Sequence, residues 1–457
     1  MRYKGITREI IKELEDIAGK ENVLSEEEER VRYSWDETCR PRPCLPDVVV
    51  KPRDTDTVAK VMRLAHERTI PVTPRGGGTG LSGGAVPIFG GILISLELMN
   101  RILDIDERNF VAVVEAGVTL AELHRAVESR GLYYPLYPGE ESASIGGNVA
   151  TNAGGMRAVK YGVTRHYVLG LEAVLPTGEV IQTGGKFVKC STGYSLTQLL
   201  IGSEGTLALI TKVILRLLTA PEVRTILFVP FRSLSDAITA VPEIIKSKIL
   251  PTGIEFMERD AIEIAEKHTG MKIPPYQGEA FLLIIIDADD EKQAENISRK
   301  VGQICSDNGA VDIFVPEGER ARRRLLELRE KFYPALKAAG LIEIIDVVVP
   351  RDKIADFMTR VKQISRRRNV PILGYGHAGD GNVHLHPLGG SEQMAEILRE
   401  IYEIGRDLGG ALSGEHGIGF EKRQFLPIAM DEKQIEIMKG IKRVFDPHYI
   451  LNRGKVF

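Results

Sequence analysis

The sequence predicts an α+β protein built from two or three domains. Its 457 residues exceed one ordinary core, since domains average roughly 150 residues. Short β-branched stretches such as PDVVVKP alternate with amphipathic helical stretches in the first half. From about residue 220, two strand–helix–strand units follow in series, which is typical of a ferredoxin-like antiparallel sheet. These observations favour a first α+β domain covered by a second sheet domain.

The elements of the first half have clear local signals. PDVVVKP predicts a strand over 46–52, a helix over 54–68 begins at Asp54 or Thr55, and TIPVTP predicts the next strand. Thr119 and Glu122 form a capping-box pattern at the start of a later helix. Two further strands, turning at Pro176–Gly178, and a buried strand within 201–218 complete this half.

A glycine cluster, PRGGGTGLSGG at 74–84, follows directly after a predicted strand. Such bare backbone suits either a flexible surface loop or close approach of a phosphate to N–H groups. Gly78, Gly80 and Gly83 match GxGxxG, but no helix begins there, which disfavours the Rossmann turn of an NAD-dependent enzyme. A second stretch of small residues, 138–162, is predicted as another loop.

The second half is predicted from its alternating strands and helices. The two strand–helix–strand units are followed by a charged helix, a strand, a further helix and a tight hairpin. Their predicted ranges are 224–231, 235–248 and 251–258 for the first unit, 281–289, 291–308 and 310–318 for the second, then 317–339, 342–350, 352–368 and 374–390.

Histidines cluster in two motifs of the last hundred residues, GHAGDGNVHLH and SGEHGIG. If AGDGN is a hairpin turn, His377 and His384 face one point. With Glu415 they would form a two-histidine, one-carboxylate site for zinc, iron(II) or manganese. The alternative is that both histidines only bond backbone carbonyls. His416, beside Glu415, is a candidate base, whereas His386 could lie on the same face or at the surface.

Composition excludes several classes of function. The net charge of −3 offers no basic field for nucleic acid. The N-terminus lacks an apolar signal region, and the longest apolar run, AFLLIII, is far shorter than the ~20 residues of a membrane helix. Four scattered cysteines disfavour disulfides and an iron–sulfur cluster bound by this chain alone. We therefore expect a soluble cytoplasmic protein.

Five motifs in order resemble the FAD-linked 2-hydroxyacid dehydrogenases of the vanillyl-alcohol-oxidase type, among them glycolate oxidase catalytic subunits and bacterial D-lactate dehydrogenases. They are PRGGGTGLSGGA, IGGNVATNAGGMRAVKYGVTR, GSEGTLALIT, GHAGDGNVHLH and SGEHGIG. The resemblance implies an N-terminal helical segment over 1–45, a two-subdomain FAD-binding domain over 46–220, a cap over 221–412, and a C-terminal segment over 413–457 that returns to the FAD domain.

The resemblance also implies residue roles. A set of mostly small residues would hold non-covalently bound FAD, with the glycine cluster at the pyrophosphate. These residues are Pro74, Arg75, Gly76, Gly77, Gly78, Thr79, Gly80, Leu81, Ser82, Pro138, Gly139, Ser144, Gly146, Gly147, Asn148, Thr151, Asn152, Ala153, Gly154, Gly162, Glu204, Gly205, Ile210 and Asn452. The metal set matches His377, His384 and Glu415, the base matches His416, and Arg329 would fix the substrate carboxylate.

The function implied is oxidation of a small D-2-hydroxy acid, D-lactate or glycolate, to the 2-oxo acid. Relatives that act on D-2-hydroxyglutarate carry Arg, Thr and Lys for the distal carboxylate. Arg329 fits the first, but this chain has Tyr333 and Ile344 at the other two positions, which favours a monocarboxylate. The alternatives are a D-2-hydroxyglutarate-type enzyme and a non-catalytic flavin-binding subunit. The expected electron acceptor is a soluble protein, either an electron-transferring flavoprotein or an iron–sulfur subunit, and a homodimer is possible.

Overall fold

The fold was analysed in a computed structural model that describes residues 5–39, 43–273, 277–390 and 392–457. Helices and strands alternate through these residues, so the predicted α+β class is confirmed. The first four residues of the predicted N-terminal segment, and residues 40–42 between the first two cysteines, lie outside the described residues. The predicted domain boundaries stay predictions.

The first sheet positions the glycine cluster. Its four strands lie in the order Val23–Leu24, Val48–Val50, Ile92–Ser95, Val72–Arg75. The last three run parallel, and the helix Thr55–Arg68 connects Val48–Val50 to Val72–Arg75. Its N-cap Asp54 accepts a hydrogen bond from Thr57 N at 2.8 Å. The cluster therefore begins where an edge strand ends, as predicted.

The second sheet is antiparallel and five-stranded. Its strands lie in the order Ile102–Asp106, Val111–Glu115, Leu209–Arg216, Val168–Val174, Val180–Gly184. The predicted pairing of the last two strands is confirmed, and so is the capping box, because Thr119 and Glu122 exchange both hydrogen bonds. The prediction of a loop over 138–162 is wrong in part: Ile145–Thr151 is a helix, which Ser144 caps by accepting from Gly147 N at 3.2 Å.

The third sheet, here called the cap sheet, carries the histidine motifs. Its six strands lie in the order Val223–Phe231, Ala280–Ala288, Gly253–Glu258, Ile372–His377, Asn382–Pro387, Ile345–Val348, all antiparallel. The predicted strand over 310–318 is wrong, because only isolated bridges at Ala310 and Phe314 join this segment to the first strand. The Pro316 backbone has no N–H with which to extend the pairing. If the bridged segment is counted as an outer strand, it and the strands Val223–Phe231, Ala280–Ala288 and Gly253–Glu258 lie in the order of a ferredoxin-like sheet. The other three strands extend that sheet.

Helices pack against these sheets. The predicted helix over 317–339 is divided at Lys331, since Pro334 has no N–H to continue the preceding helix. No helix in the described residues is both long and apolar enough to cross a membrane. Besides the helices already given, the α-helices are Arg8–Ala18, Glu27–Arg30, Leu120–Glu128, Ala158–Tyr161, Leu196–Leu200, Leu234–Lys246, Arg259–Thr269, Glu291–Asp307, Glu319–Glu330, Phe332–Ala338, Ile354–Arg368, Met394–Asp407, Leu426–Ala429 and Glu432–Phe445, and the short strands Leu132–Tyr133 and Leu218–Thr219 pair with each other.

The C-terminal tail is joined to the first sheet by backbone hydrogen bonds and to the segment after Gly205 by a buried lysine. Val72 N donates to Ile450 O at 2.8 Å, and Asn452 N donates to Val72 O at 2.7 Å. Lys442, 3% exposed, donates to Asp446 Oδ2 at 2.5 Å and to the carbonyl of Thr206 at 2.6 Å. This cation therefore connects the tail to the chain segment that follows Gly205.

We expect Lys442→Met to destabilise the protein by about 3–5 kcal/mol, because it leaves the buried Asp446 carboxylate without its cation. The matched control is Lys433→Met on the same helix, whose partner Glu436 is 68% exposed, and which should cost no more than ~1 kcal/mol. Thermal and denaturant unfolding of both variants measures the difference. Equal losses would contradict a structural role for the buried pair.

Candidate active site

A cavity lies where the first two sheets meet the loop before the last helices. Most positions predicted to bind FAD lie along its wall. Those on the wall are Pro74, Arg75, Gly76, Gly77, Gly78, Thr79, Gly80, Leu81, Ser82, Pro138, Ser144, Gly146, Gly147, Asn148, Thr151, Ala153, Gly154, Glu204, Gly205, Ile210 and Asn452. Residues distant in sequence therefore share one wall, and Glu415 and His416 lie on the same wall.

Three predicted positions, Gly139, Asn152 and Gly162, do not lie on this wall. Asn152 ends the helix Ile145–Thr151 with a φ of 55°, and its Oδ1 accepts from Arg165 N at 3.0 Å. Gly162 ends the short helix Ala158–Tyr161 with a φ of 77°. These two residues form the backbone turns beside the cavity, and the FAD-binding roles of all three positions stay predictions.

The wall residues fit FAD. Gly84 lines the cavity, and a Cβ there would meet no atom within 4 Å, so the backbone is open to a ligand. Asn148 Nδ2 and Asn452 Oδ1 are buried on the wall and have no hydrogen-bond partner among the described residues. Such orphaned groups are costly, and a ligand with phosphates and a polar ring system would satisfy them.

The histidine motifs converge beside the cavity. His377 ends the strand Ile372–His377, and His384 lies on the returning strand of the hairpin. Their Nε2 atoms are 3.3 Å apart, and each lies 3.3 Å from Glu415 Oε1. These contacts are with side chains, whereas the alternative stated above was that both histidines bond only to backbone carbonyls. The three groups could hold a metal ion together.

This triangle has the dimensions of a metal site. Ligands bound at about 2.1 Å with tetrahedral angles lie about 3.4 Å apart, close to the 3.3 Å observed. His377 Nδ1 lies 2.6 Å from Glu255 Oε1, an outer carboxylate that orients the ring. A divalent cation would also balance the buried carboxylates around it. The residues therefore fit zinc, and they fit iron(II) or manganese equally well.

Arg329 is held behind the metal triangle and does not line the cavity. Its Nη2 donates to Glu255 Oε2 at 2.6 Å, and its guanidinium lies 4.4 Å over the centre of the Tyr375 ring. Its Nε is buried and has no hydrogen-bond partner among the described residues. The structure thus places Arg329 three contacts away from the cavity, through Glu255, His377 and Glu415, with one unsatisfied N–H.

The loop with Glu415 and His416 is held by one carboxylate of the cap sheet and one of the cavity wall. From the cap sheet, Asp346 Oδ2 accepts from Glu415 N at 3.1 Å and from His416 N at 2.9 Å. From the cavity wall, Glu204 accepts from the N–H groups of Ile418 and Gly419 at 2.8 and 2.7 Å. The backbone between the two carboxylates is therefore fixed at both ends.

Burial and charge set the protonation of these groups. Burial acts to lower the pKa of His377, but Glu255 and Glu415 raise it well above its usual value. Burial acts to raise the pKa of Glu415, yet hydrogen bonds to the two histidines hold it well below its usual range. Burial lowers the pKa of His416 to about 4, so its imidazole is neutral near pH 7 and can accept a proton.

Asp346 and Glu255 were missed by the sequence analysis. Each is a single acid in an apolar strand, in IIDVVV and GIEFM, and each is 0% exposed. A buried charge requires a partner, so a single acid within an apolar strand was the sequence feature that indicated a functional or structural role for these two residues. His386, 1% exposed and stacked on Tyr375 at 4.5 Å, is not a surface histidine.

Two family models match this chain. Residues 46–184 match the family described as FAD binding domain, and residues 220–456 match FAD linked oxidases, C-terminal domain. The chain belongs to the FAD-linked oxidase family. It is an FAD-dependent oxidoreductase, and the cavity wall lies largely within the two matched regions.

Relatives and solved structures agree with this family. The chain is 44% identical to a D-lactate dehydrogenase of Archaeoglobus fulgidus, covering 93% of this chain and 95% of the relative. It is 37% identical to glycolate oxidase subunit GlcD of Bacillus subtilis, covering 99% and 97%. The crystal structure of p-cresol methylhydroxylase with substrate bound is similar in fold, with a TM-score of 0.81 at 18% identity over 99% of this chain and 98% of that one.

Gly154 separates the cavity from the metal triangle, and a Cβ there would lie 2.7 Å from Glu415 Oε2. We expect Gly154→Ala to displace this carboxylate and to weaken metal binding at least tenfold, the scale on which disturbed metal surroundings act. Gly84→Ala is the control on the same wall, where the new methyl has no close neighbour. Zinc titration of both variants measures the effect, and equal affinities would contradict the expectation that a methyl group at Gly154 displaces the Glu415 carboxylate.

Proposed function

We propose that this FAD-linked oxidase converts a small D-2-hydroxy acid, D-lactate or glycolate, to its 2-oxo acid. The observation that carries the proposal is the contact between two sites: Glu415 belongs to the metal triangle and lies on the wall of the FAD cavity, with His416 beside it. A hydroxyl bound at the metal would therefore lie next to both the base and the cofactor. The names of the relatives, D-lactate dehydrogenase and glycolate oxidase subunit, favour these substrates.

The proposed roles follow from the positions of the side chains. His377, His384 and Glu415 would hold the divalent cation, which supplies positive charge that lowers the pKa of the substrate hydroxyl. His416 Nε2 lies 3.9 Å from Glu415 Oε1, so it faces this point and takes the hydroxyl proton. FAD, when bound, supplies the acceptor for the hydride from the substrate Cα.

Arg329 is proposed to fix the substrate carboxylate. Its Nη2 contact with Glu255 holds the guanidinium in place, and its Nε is buried without a hydrogen-bond partner among the described residues, so a substrate carboxylate would have to reach this N–H from the side of the metal triangle. Glu255 also contacts His377, so one carboxylate positions both Arg329 and a proposed metal ligand.

A small substrate is favoured over D-2-hydroxyglutarate. At the two positions where enzymes of that type carry Thr and Lys, this chain has Tyr333 and Ile344. Ile344 is 4% exposed and apolar, so it offers nothing to a second carboxylate. The remaining alternative, a flavin-binding subunit without activity, would not need the assembled triangle and base.

The acceptor is proposed to be a soluble protein, either an electron-transferring flavoprotein or an iron–sulfur subunit. The relative named glycolate oxidase subunit GlcD is by its name part of an assembly, which supports a protein partner. The homodimer stays a prediction.

Anaerobic mixing of the yellow protein with candidate acids tests the proposal. D-lactate or glycolate should bleach the flavin, whereas L-lactate, malate and D-2-hydroxyglutarate should bleach it much more slowly. Fastest bleaching by D-2-hydroxyglutarate would replace the proposed substrate, and no bleaching by any acid would favour the non-catalytic subunit.

A further inference from the structure

Asp346 is a fully buried acid at the centre of the histidine cluster. It lies on the cap-sheet strand Ile345–Val348, directly opposite His384 in the register of the neighbouring strand. Its Oδ1 accepts from Asn382 Nδ2 at 2.9 Å, and Lys422 Nζ lies 3.7 Å from its Oδ2. A charge buried at this depth must be offset by several partners.

The Oδ2 atom holds the loop that carries the proposed ligand and base. Besides the N–H groups of Glu415 and His416, it accepts from Ser413 Oγ at 2.6 Å. Three donors from four consecutive positions therefore converge on one oxygen. This contact fixes the backbone from which both functional side chains project.

The same carboxylate faces two imidazoles. The rings of His384 and His416 stack with centroids 5.2 Å apart. His384 Nδ1 lies 3.9 Å from Asp346 Oδ1, and His416 Nδ1 lies 3.8 Å from Oδ2. Neither Nδ1 atom has a hydrogen-bond partner among the described residues. Each ring therefore presents the same nitrogen to one negative charge.

This arrangement selects one tautomer. A neutral imidazole carries a single N–H, and the nearby carboxylate favours that N–H at Nδ1. The lone pair is then left on Nε2. In His384 this atom belongs to the metal triangle, and in His416 it lies 3.9 Å from Glu415 Oε1.

We propose that Asp346 is a positioning residue whose single carboxylate sets the Nδ1–H tautomer of both His384 and His416 while it holds the loop bearing Glu415. The roles of the two histidines rest on the proposed function. The tautomers and the loop contacts are independent of it.

Asp346 is better suited to this role than to binding a second metal ion. Asp346, His384 and His416 lie close enough to share an ion. However, Oδ2 already accepts three hydrogen bonds and lies 3.7 Å from the Lys422 ammonium group. A metal cation at this point would be repelled by the ammonium group, whereas a neutral imidazole that donates its N–H carries no net charge to be repelled.

Asp346→Asn is the sharpest variant because it removes the charge and can keep the loop contacts. The amide oxygen can still accept from the loop. Asn382 Oδ1 has no partner among the described residues, so rotation of the Asn382 amide gives the new NH₂ group an acceptor. The control is Glu258→Gln, the same change at a half-buried cap-sheet acid that contacts Lys362 at 2.9 Å and Gly374 N at 3.1 Å.

Nitrogen NMR of protein labelled in its histidines, with FAD bound and zinc added, reports the tautomers directly. We expect Nδ1–H on both histidines in the parent, loss of this form at one ring or both in Asp346→Asn, and parent-like spectra in Glu258→Gln. Zinc affinity or the rate of flavin reduction by D-lactate should fall about 10- to 100-fold in Asp346→Asn alone.

Two outcomes would overturn the proposal: Nε2–H tautomers in the parent protein, or an Asp346→Asn variant that matches Glu258→Gln in every measurement. The parent spectrum decides the matter even if Asp346→Asn does not fold. If no acid reduces the parent flavin but the tautomer change occurs, the proposed function fails while the positioning role of Asp346 stands.

Discussion

His416→Ala is expected to leave the protein yellow and to stop the reduction of its flavin by D-lactate. The neutral imidazole of His416 is the proposed acceptor of the hydroxyl proton, and general bases typically contribute about 10²- to 10⁴-fold in rate. FAD should stay bound, because His416 is one of many residues on the cavity wall. Stopped-flow absorbance under anaerobic conditions measures the rate.

The control for this experiment is His268→Ala, which removes an exposed histidine on a cap helix and should leave the rate unchanged. If His416→Ala reduced its flavin at more than a tenth of the parent rate, His416 would be excluded as the base. Loss of FAD from that variant would instead assign His416 to cofactor binding.

His377→Ala is expected to lose the metal ion, and with it the activity, while FAD is retained. The imidazole supplies one corner of the triangle, and it is the group through which Glu255 supports the site. Its removal also takes one partner from each of two buried carboxylates, which keep Arg329 and His384 respectively, and this should lower stability by about 1–3 kcal/mol. Elemental analysis, flavin absorbance and thermal unfolding separate these three effects.

Metal removal from the parent protein provides the matched comparison. A chelator should abolish flavin reduction in the parent, and added zinc or manganese should restore it. The same addition should not restore His377→Ala. Full activity in a parent protein shown to be free of metal would contradict the metal-dependent part of the proposal.

Local features of the fold were readable from the sequence. The capping box at Thr119, the hairpin that brings His377 near His384, and the position of the glycine cluster after a strand each depend on a few neighbouring residues. The family resemblance supplied the cavity residues, because spacing alone does not say which loops meet.

Long-range features were not readable from the sequence. The helix Ile145–Thr151 was not predicted because its two glycines lower the helix propensity of the segment. The Ser144 cap stabilises its start. Asp346 contacts a loop about seventy positions later, and Glu255 contacts Arg329 and His377 across three separate elements. Only the tertiary packing of the cap sheet brings these charges together, so their strand context predicted burial but not their partners.

We propose above all that the metal site and the FAD site are adjacent, with Glu415 belonging to both. Diffraction from crystals grown with FAD and zinc, with anomalous data collected at the zinc edge, tests it most directly. We expect an anomalous peak within bonding distance of His377, His384 and Glu415, beside flavin density in the cavity. Zinc bound elsewhere with this triangle empty, or flavin density remote from His416, would contradict it.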